Sequence, residues 1–174
     1  MSYLPDHEIM ALGTTLVNPF DPQNVGPASI DLRLDDTLLV PHSTHHLTCV
    51  DLGEPESIMQ EIVMDEHGFI LHPGEFALGA TFEEVTLPDH IIGKIVGKSS
   101  LERFGLAVNL SAGWVDPGWR GRLSFGMLNM LRVPIILRAG RKCCQITFAY
   151  TNTNVNNPYN GHYQDSDGVR GVST

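Results

Sequence analysis

The chain has 174 residues, of which 42% are hydrophobic, and a formal net charge of −9 at pH 7. This length suits one domain with a single core, and 20 acidic residues without a basic run interleaved with aromatics argue against nucleic acid as a partner. No apolar run approaches the ~20 residues that span a bilayer and the N-terminus lacks a secretion-signal pattern, so we expect a cytoplasmic protein with no membrane partner.

Short elements are predicted throughout, because 17 Gly and 11 Pro interrupt the chain. Short helices are predicted at 5–12 and 99–104. Nine strands are predicted, at 29–34, 37–40, 69–72, 76–82, 91–96, 106–110, 123–129, 135–137 and 143–150. This pattern indicates a mainly β protein, a barrel or jelly roll. We expect a β domain over residues 1–150 and a polar C-terminal arm over residues 151–174.

Residue types that often bind metals do not form a recognisable motif. The adjacent Cys143 and Cys144 belong to neither a disulfide framework nor a C-x-x-C pair, so we expect reduced thiols in or near the core. His42, His45 and His46 lie in a polar segment where solvent-facing histidines are the commoner outcome. The signatures of zinc deaminases, P-loop proteins and α/β-hydrolases are absent from the sequence.

Basic residues concentrate in one part of this acidic chain. Nine of the eleven Lys and Arg residues lie from Lys94 to Lys142, with two acidic residues among them. At the start of this segment, Gly97 is followed by hydroxyl and basic side chains: Lys98, Ser99, Ser100 and Arg103. Backbone N–H groups, hydroxyls and cations in such a turn can bind phosphate. The segment predicts a site for a small phosphate ester, such as a nucleoside triphosphate.

Asp116 stands between Val115 and Pro117-Gly118, so its carboxylate is predicted to lie on a tight hairpin. An aspartate in this position can orient or deprotonate a water. Turn aspartates also bond their own backbone, and the local sequence leaves this alternative open.

The polar C-terminal segment has two interpretations. Its donors and aromatic side chains could fold over a bound nucleotide as a lid; those residues are Tyr159, His162, Tyr163, Ser166 and Arg170. Alternatively, it is a frayed chain end.

Five segments together resemble the trimeric dCTP deaminase and dUTP diphosphatase (dUTPase) superfamily, in the order that the superfamily has them. They are residues 26–34, 71–78, 97–106, 111–121 and 138–146. The resemblance implies a distorted β-barrel or jelly roll of the dUTPase type. It also implies a homotrimer with its active sites between subunits, and a deoxynucleoside triphosphate substrate bound with Mg²⁺.

The resemblance also implies roles for individual residues. Phosphates would be bound by Lys98, where arginine is usual, and by Ser99, Ser100, Arg103 and Gln145. Base and deoxyribose would be bound by Ala112, Gly113, Trp114, Val115 and Trp119. Asp116 would activate water. Mg²⁺ would be held by the triphosphate and water, without a direct protein ligand.

Gly126 is the main departure from the deaminase branch, whose proton-shuttling glutamate falls at this position. Glycine cannot transfer protons, so the resemblance favours hydrolysis of a deoxypyrimidine triphosphate, dUTP to dUMP and pyrophosphate. The alternatives are a dCTP deaminase, a bifunctional enzyme, or a nucleotide-binding regulatory protein without catalysis. The missing side chain also predicts a larger pocket beside the base. In the tail, His162 and Ser166 replace the lysine and glutamine usual in deaminases.

Overall fold

The computed structural model describes residues 2–42, 58–109 and 112–172. Its helices are α1 (Asp6–Leu16) and α2 (Ser99–Glu102), with a 3-10 turn at Pro22–Asn24. Its strands are β1 (Val17–Asn18), β2 (Val25–Gly26), β3 (Ser29–Pro41), β4 (Met59–Val63), β5 (Phe69–Leu71), β6 (Phe76–Thr86), β7 (Ile91–Gly97), β8 (Leu106–Val108), β9 (Trp114–Val115), β10 (Arg120–Asn129), β11 (Ile135–Leu137) and β12 (Lys142–Tyr150).

Most strands form one antiparallel sheet in the order β8-β10-β6-β3-β12-β7-β9, to which β1, β2 and β4 add at the sides. The long strand β3 joins the two halves, because its first part pairs with β12 and its second with β6. A register shift between Leu34 and Leu38 bends β3 where it changes partner. The sheet therefore curls into a half-barrel, and β5 and β11 form a separate pair.

Alternating burial along the strands explains where the core lies. On β10, Leu123, Phe125 and Met127 are buried in the core, while Ser124 and Gly126 between them are half-buried on the other face. Apolar residues at every second position stabilise a sheet with one face inward. The opposite face of β10 remains available for a binding site.

The predicted fold class is confirmed: the protein is mainly β, with two short helices. The strands predicted at 29–34 and 37–40 are a single bent strand, β3, and the second helix ends at Glu102. β1, β2, β4 and β9 were not predicted. Three of them have two residues each, too few to show a period-2 pattern.

Some sequence expectations concern residues outside the described ranges. The histidine-rich segment continues into residues 43–57, so His45 and His46 lie outside them. Cys143 and Cys144 are described, and both are buried free thiols as expected. The hydrogen bond with Cys143, together with burial, raises the pKa of the Cys144 thiol. Among the described helices, none has the length and apolar character needed to cross a membrane.

Candidate functional site

A large groove lies against the half-buried face of β10, beside the hairpin that contains β9. Its volume is about 1030 Å³. Its wall includes the polar side chains of Asn109, Asp116, Arg122, Ser124, Ser166 and Arg170. Asp116 is the sole carboxylate among the described lining residues. The groove is large enough for a nucleotide-sized ligand.

The hairpin holds Asp116 at an exposed turn. Val115 before it is buried, and the N–H of Trp119 donates to the Asp116 carbonyl over 3.2 Å. Gly118 closes the turn with φ +88°, a left-handed conformation that favours glycine. The backbone of Asp116 is therefore fixed at one border of the groove, and its side chain is exposed to water.

Four of the five residues predicted to bind base and sugar line the groove: Ala112, Trp114, Val115 and Trp119. Trp114 presents a 59% exposed indole, whereas Trp119 is buried. Gly113 instead permits close packing of the hairpin, since a Cβ there would lie 2.3 Å from the Ile95 carbonyl oxygen. The hairpin thus brings an aromatic surface and a carboxylate together.

The residues predicted to bind phosphate do not line the groove of their own chain. Ser99 and Ser100 are exposed on α2, and Arg103 follows its end. Lys98 forms an ion pair with Asp31, and Asp31 is in register with Gln145 on β12. A second cation, which was not among the predicted phosphate-binding residues, is Lys142, whose Nζ lies 3.8 Å from Asp31.

The C-terminal segment packs on the hairpin and β10 of its own chain. Tyr159 donates its N–H to the Pro117 carbonyl over 2.8 Å, and its ring centre lies 5.3 Å from that of Trp119. Gln164 donates to the Gly118 carbonyl and accepts from the Arg120 N–H, over 2.9 and 3.1 Å. The segment therefore follows the hairpin at one side of the groove.

Further contacts continue this packing along β10. The N–H of Arg122 donates to the Ser166 carbonyl over 2.7 Å, and the N–H of Arg170 donates to Oγ of Ser124 over 2.9 Å. Arg120 forms an ion pair with Asp165, which lowers the pKa of that carboxyl. Of the predicted lid residues, Tyr159, Tyr163, Ser166 and Arg170 line the groove, while the exposed His162 does not.

Gly126 lies in the groove wall, but its missing side chain leaves no enlarged pocket. A Cβ atom at this position would lie 2.7 Å from Cε2 of Phe76. Real Cβ atoms do not approach an aromatic carbon so closely, so the Phe76 ring already occupies the space. The expectation of a larger pocket beside the base was wrong, because a residue from β6 fills it.

The comparisons with known proteins agree on one family. A family model described as dCTP deaminase-like matches residues 4–151. A curated protein from Acidothermus cellulolyticus, "dCTP deaminase, dUMP-forming", is 38% identical over 161 residues, which cover 90% of this chain and 84% of that protein. The protein of that name from Kocuria rhizophila is 41% identical over 149 residues, which cover 84% and 77%.

A solved structure supports the fold. The 2'-deoxycytidine 5'-triphosphate deaminase of Agrobacterium tumefaciens superposes with a TM-score of 0.66 at 23% identity, over 84% of this chain and 48% of that chain. This chain therefore spans about half the length of that solved protein.

The chain belongs to the dCTP deaminase-like family. The family resemblance drawn from the five motifs is therefore confirmed. Members of this family are enzymes of deoxynucleotide metabolism.

Proposed function

We propose that the protein binds a deoxypyrimidine nucleoside triphosphate and hydrolyses dUTP to dUMP and pyrophosphate, with water activated by Asp116. The composition of the groove carries this proposal, since Asp116 is the sole carboxylate among its described lining residues. Its exposed position allows a water to reach it. A carboxylate placed in this way can accept a proton from the attacking water.

In the proposed reaction, the water oxygen bonds to the α-phosphorus and the water proton passes to Asp116. The bond from the α-phosphorus to the bridging oxygen breaks, and pyrophosphate leaves. Trp114 and the buried Trp119 would hold the base and sugar beside this carboxylate. Positioning the reactants in this way can supply a large part of the rate enhancement.

The phosphate-binding role of Lys98, Ser99, Ser100, Arg103 and Gln145 fits a homotrimer better than a single chain. These residues do not line the groove that contains Asp116. Closed rotational symmetry would place the α2 region of one subunit beside the groove of the next. We therefore include a homotrimer, with sites between subunits, in the proposal.

Mg²⁺ is part of the proposed substrate complex. The described residues include no group of three or more His, Cys, Asp or Glu side chains placed to hold a metal ion. In the proposal the ion is bound through the triphosphate and water, as Mg²⁺ usually is at nucleotide sites. When bound, it would neutralise phosphate charge, while Lys98 and Arg103 would add their own positive charge.

The second candidate is conversion of dCTP to dUMP, which adds loss of ammonia from the base. The names of the curated relatives favour this candidate. The groove composition favours the first, since Gly126 has no proton-transferring group and Phe76 covers it. Both candidates form dUMP, and they differ in the base of the substrate.

A panel of deoxynucleoside triphosphates with Mg²⁺ tests the proposal when pyrophosphate and ammonia are both measured. We expect pyrophosphate from dUTP, and no ammonia from dCTP. Ammonia together with pyrophosphate from dCTP would establish the second candidate. Nucleotide binding with neither product would indicate a regulatory protein and reject both enzymatic proposals.

A further inference from the structure

Phe76 and Gly126 lie on neighbouring strands that pair in a fixed register. Gly126 on β10 is opposite Leu78 on β6, and Phe76 is opposite Leu128. The ring of Phe76 thus lies diagonally across from Gly126, at a spacing that aromatic side chains can bridge. Its Cε2 and Cζ atoms would be 2.7 and 3.1 Å from a Cβ at residue 126. The two residues form a steric pair in the groove wall.

Apolar side chains continue the wall on the side of Phe76. Leu39, Leu78 and Gly126 are in register across β3, β6 and β10. Ile58, Met59, Phe76 and Val172 also belong to the apolar part of the lining. Along β10 the lining therefore changes from polar, at Arg122 and Ser124, to apolar, at Gly126.

We propose that Phe76 is a specificity-determining residue, whose ring over Gly126 provides an apolar contact surface for the pyrimidine ring and excludes a carboxylate side chain from position 126. This inference rests on the proposed function and specifies how its base is bound. Aromatic side chains bind bases through their faces without hydrogen-bond readout. Phe76 accordingly adds affinity for the ring, and the groove leaves the base substituents unreacted.

The exclusion has a chemical consequence. Deamination of cytosine forms a bond from the water oxygen to C4, breaks the C4–N bond and transfers water protons to the leaving ammonia. A group beside C4 has to shuttle those protons. We expect the Phe76 ring to clash with the side chain of Gly126→Glu, whereas Phe76→Ala with Gly126→Glu provides room for the carboxylate.

Thermal unfolding at fixed protein concentration tests the steric pair without any substrate. Gly126→Ala should lower Tm by about 2–10 °C, since overpacking is destabilising. In a Phe76→Ala background the same methyl group should cost little. Gly168→Ala is the control for an added methyl group, since a Cβ there meets no atom within 4 Å. Equal effects of Gly126→Ala in both backgrounds would overturn the steric pair.

A matched pair elsewhere separates packing from specificity. Gly13 on α1 has the same relation to Phe20, with a Cβ-to-ring distance of 2.6 Å, and neither residue lines the groove. Gly13→Ala and Phe20→Ala should therefore show the same coupling in Tm. They should leave nucleotide affinity unchanged, whereas Phe76→Ala should weaken it.

Binding is measured with a dUTP analogue that carries an imido group between the α- and β-phosphates, so that no turnover is needed. Phe76→Ala should raise its Kd by about 5- to 100-fold, and Phe76→Leu by less. Phe76→Leu retains bulk if the alanine variant unfolds. A change of less than about twofold in the folded variants would overturn the inference.

The same set of proteins separates failure of this inference from failure of the proposed function. Phe76-dependent binding without pyrophosphate release from dUTP would reject the function and retain the inference. Pyrophosphate release from dUTP, with the same nucleotide affinity in Phe76→Ala as in the wild type, would reject the inference and retain the proposed function. Ammonia release from dCTP by Gly126→Glu at the rate of the double variant would also overturn the inference, because Phe76 would then exclude nothing.

Discussion

Asp116 has the features of a functional carboxylate and few features of a structural one. It is exposed, and none of the side-chain hydrogen bonds and ion pairs identified in the described residues uses its carboxylate. Its backbone carbonyl, in contrast, accepts from Trp119 and forms the turn. The side chain can therefore be altered without disturbing the hairpin.

Asp116→Asn should reduce kcat for dUTP hydrolysis by about 10²–10⁴-fold, because an amide cannot accept the proton of water. The free energy of unfolding should change by less than about 0.5 kcal/mol, as for other exposed positions. Steady-state kinetics and thermal unfolding of the same preparation measure both quantities. Unchanged kcat would remove Asp116 from the mechanism.

The turn that carries Asp116 was predictable from sequence, whereas the contact between Phe76 and Gly126 was not. Val115, Asp116 and Pro117-Gly118 are consecutive, so turn chemistry defines their arrangement. Phe76 reaches Gly126 only because β6 and β10 pair in one particular register. The register between two strands depends on how both strands are buried along their whole length. It cannot be read from the sequence near Phe76 or near Gly126.

The C-terminal segment packs on its own hairpin through backbone and side-chain hydrogen bonds. Gln164 bonds both Gly118 and Arg120, and Asp165 forms an ion pair with Arg120. Because the contact with Arg120 lowers the pKa of Asp165, the stabilisation that this contact gives to the folded state is fully present above the unfolded pKa of about 3.9. It is lost as the pH falls through the lower pKa of the folded state. This contact should therefore not titrate near neutral pH.

Fluorescence of Trp119, which packs against Tyr159, can report this contact in a Trp114→Phe background. Emission should stay constant from neutral pH down to about pH 5 and change only as Asp165 is protonated in stronger acid. Asp165→Asn should reduce or abolish that acid-dependent step. A step of full size between about pH 5 and pH 7 would assign the titration to another group.

Long strands were predictable from sequence, as β6, β10 and β12 illustrate, and burial along β10 alternates without interruption. β4 was missed because its burial does not alternate: both Gln60 and Glu61 are exposed. The lid interpretation of the tail agrees with four residues at the groove, but the exposed His162 shows that composition alone did not define which side chains face it.

At the scale of the whole molecule, the groove and the α2 region lie in different parts of one chain. A trimer with sites between subunits requires Asp116 from one chain and Arg103 from the next. Mixing Asp116→Asn with Arg103→Ala chains, after dissociation and reassembly, should restore about one quarter of the wild-type hydrolysis rate, since one interface in four then has both native residues. Each variant alone should be inactive.

Reassembly of each variant with itself controls for recovery during the procedure, and size-exclusion chromatography confirms the assembled state. No recovery of activity in correctly assembled mixed trimers would place Asp116 and Arg103 in the same chain's site, or remove one of them from it.

The central claim is that water attacks phosphorus and leaves the base intact, and a single incubation in ¹⁸O-labelled water tests it. Hydrolysis at the α-phosphorus puts the label in the phosphate of dUMP, whereas deamination puts it at C4 of the base. With dUTP and dCTP supplied together, mass spectrometry should find dUMP labelled only in its phosphate, and dCTP unchanged. Label at C4, with consumption of dCTP, would contradict the claim.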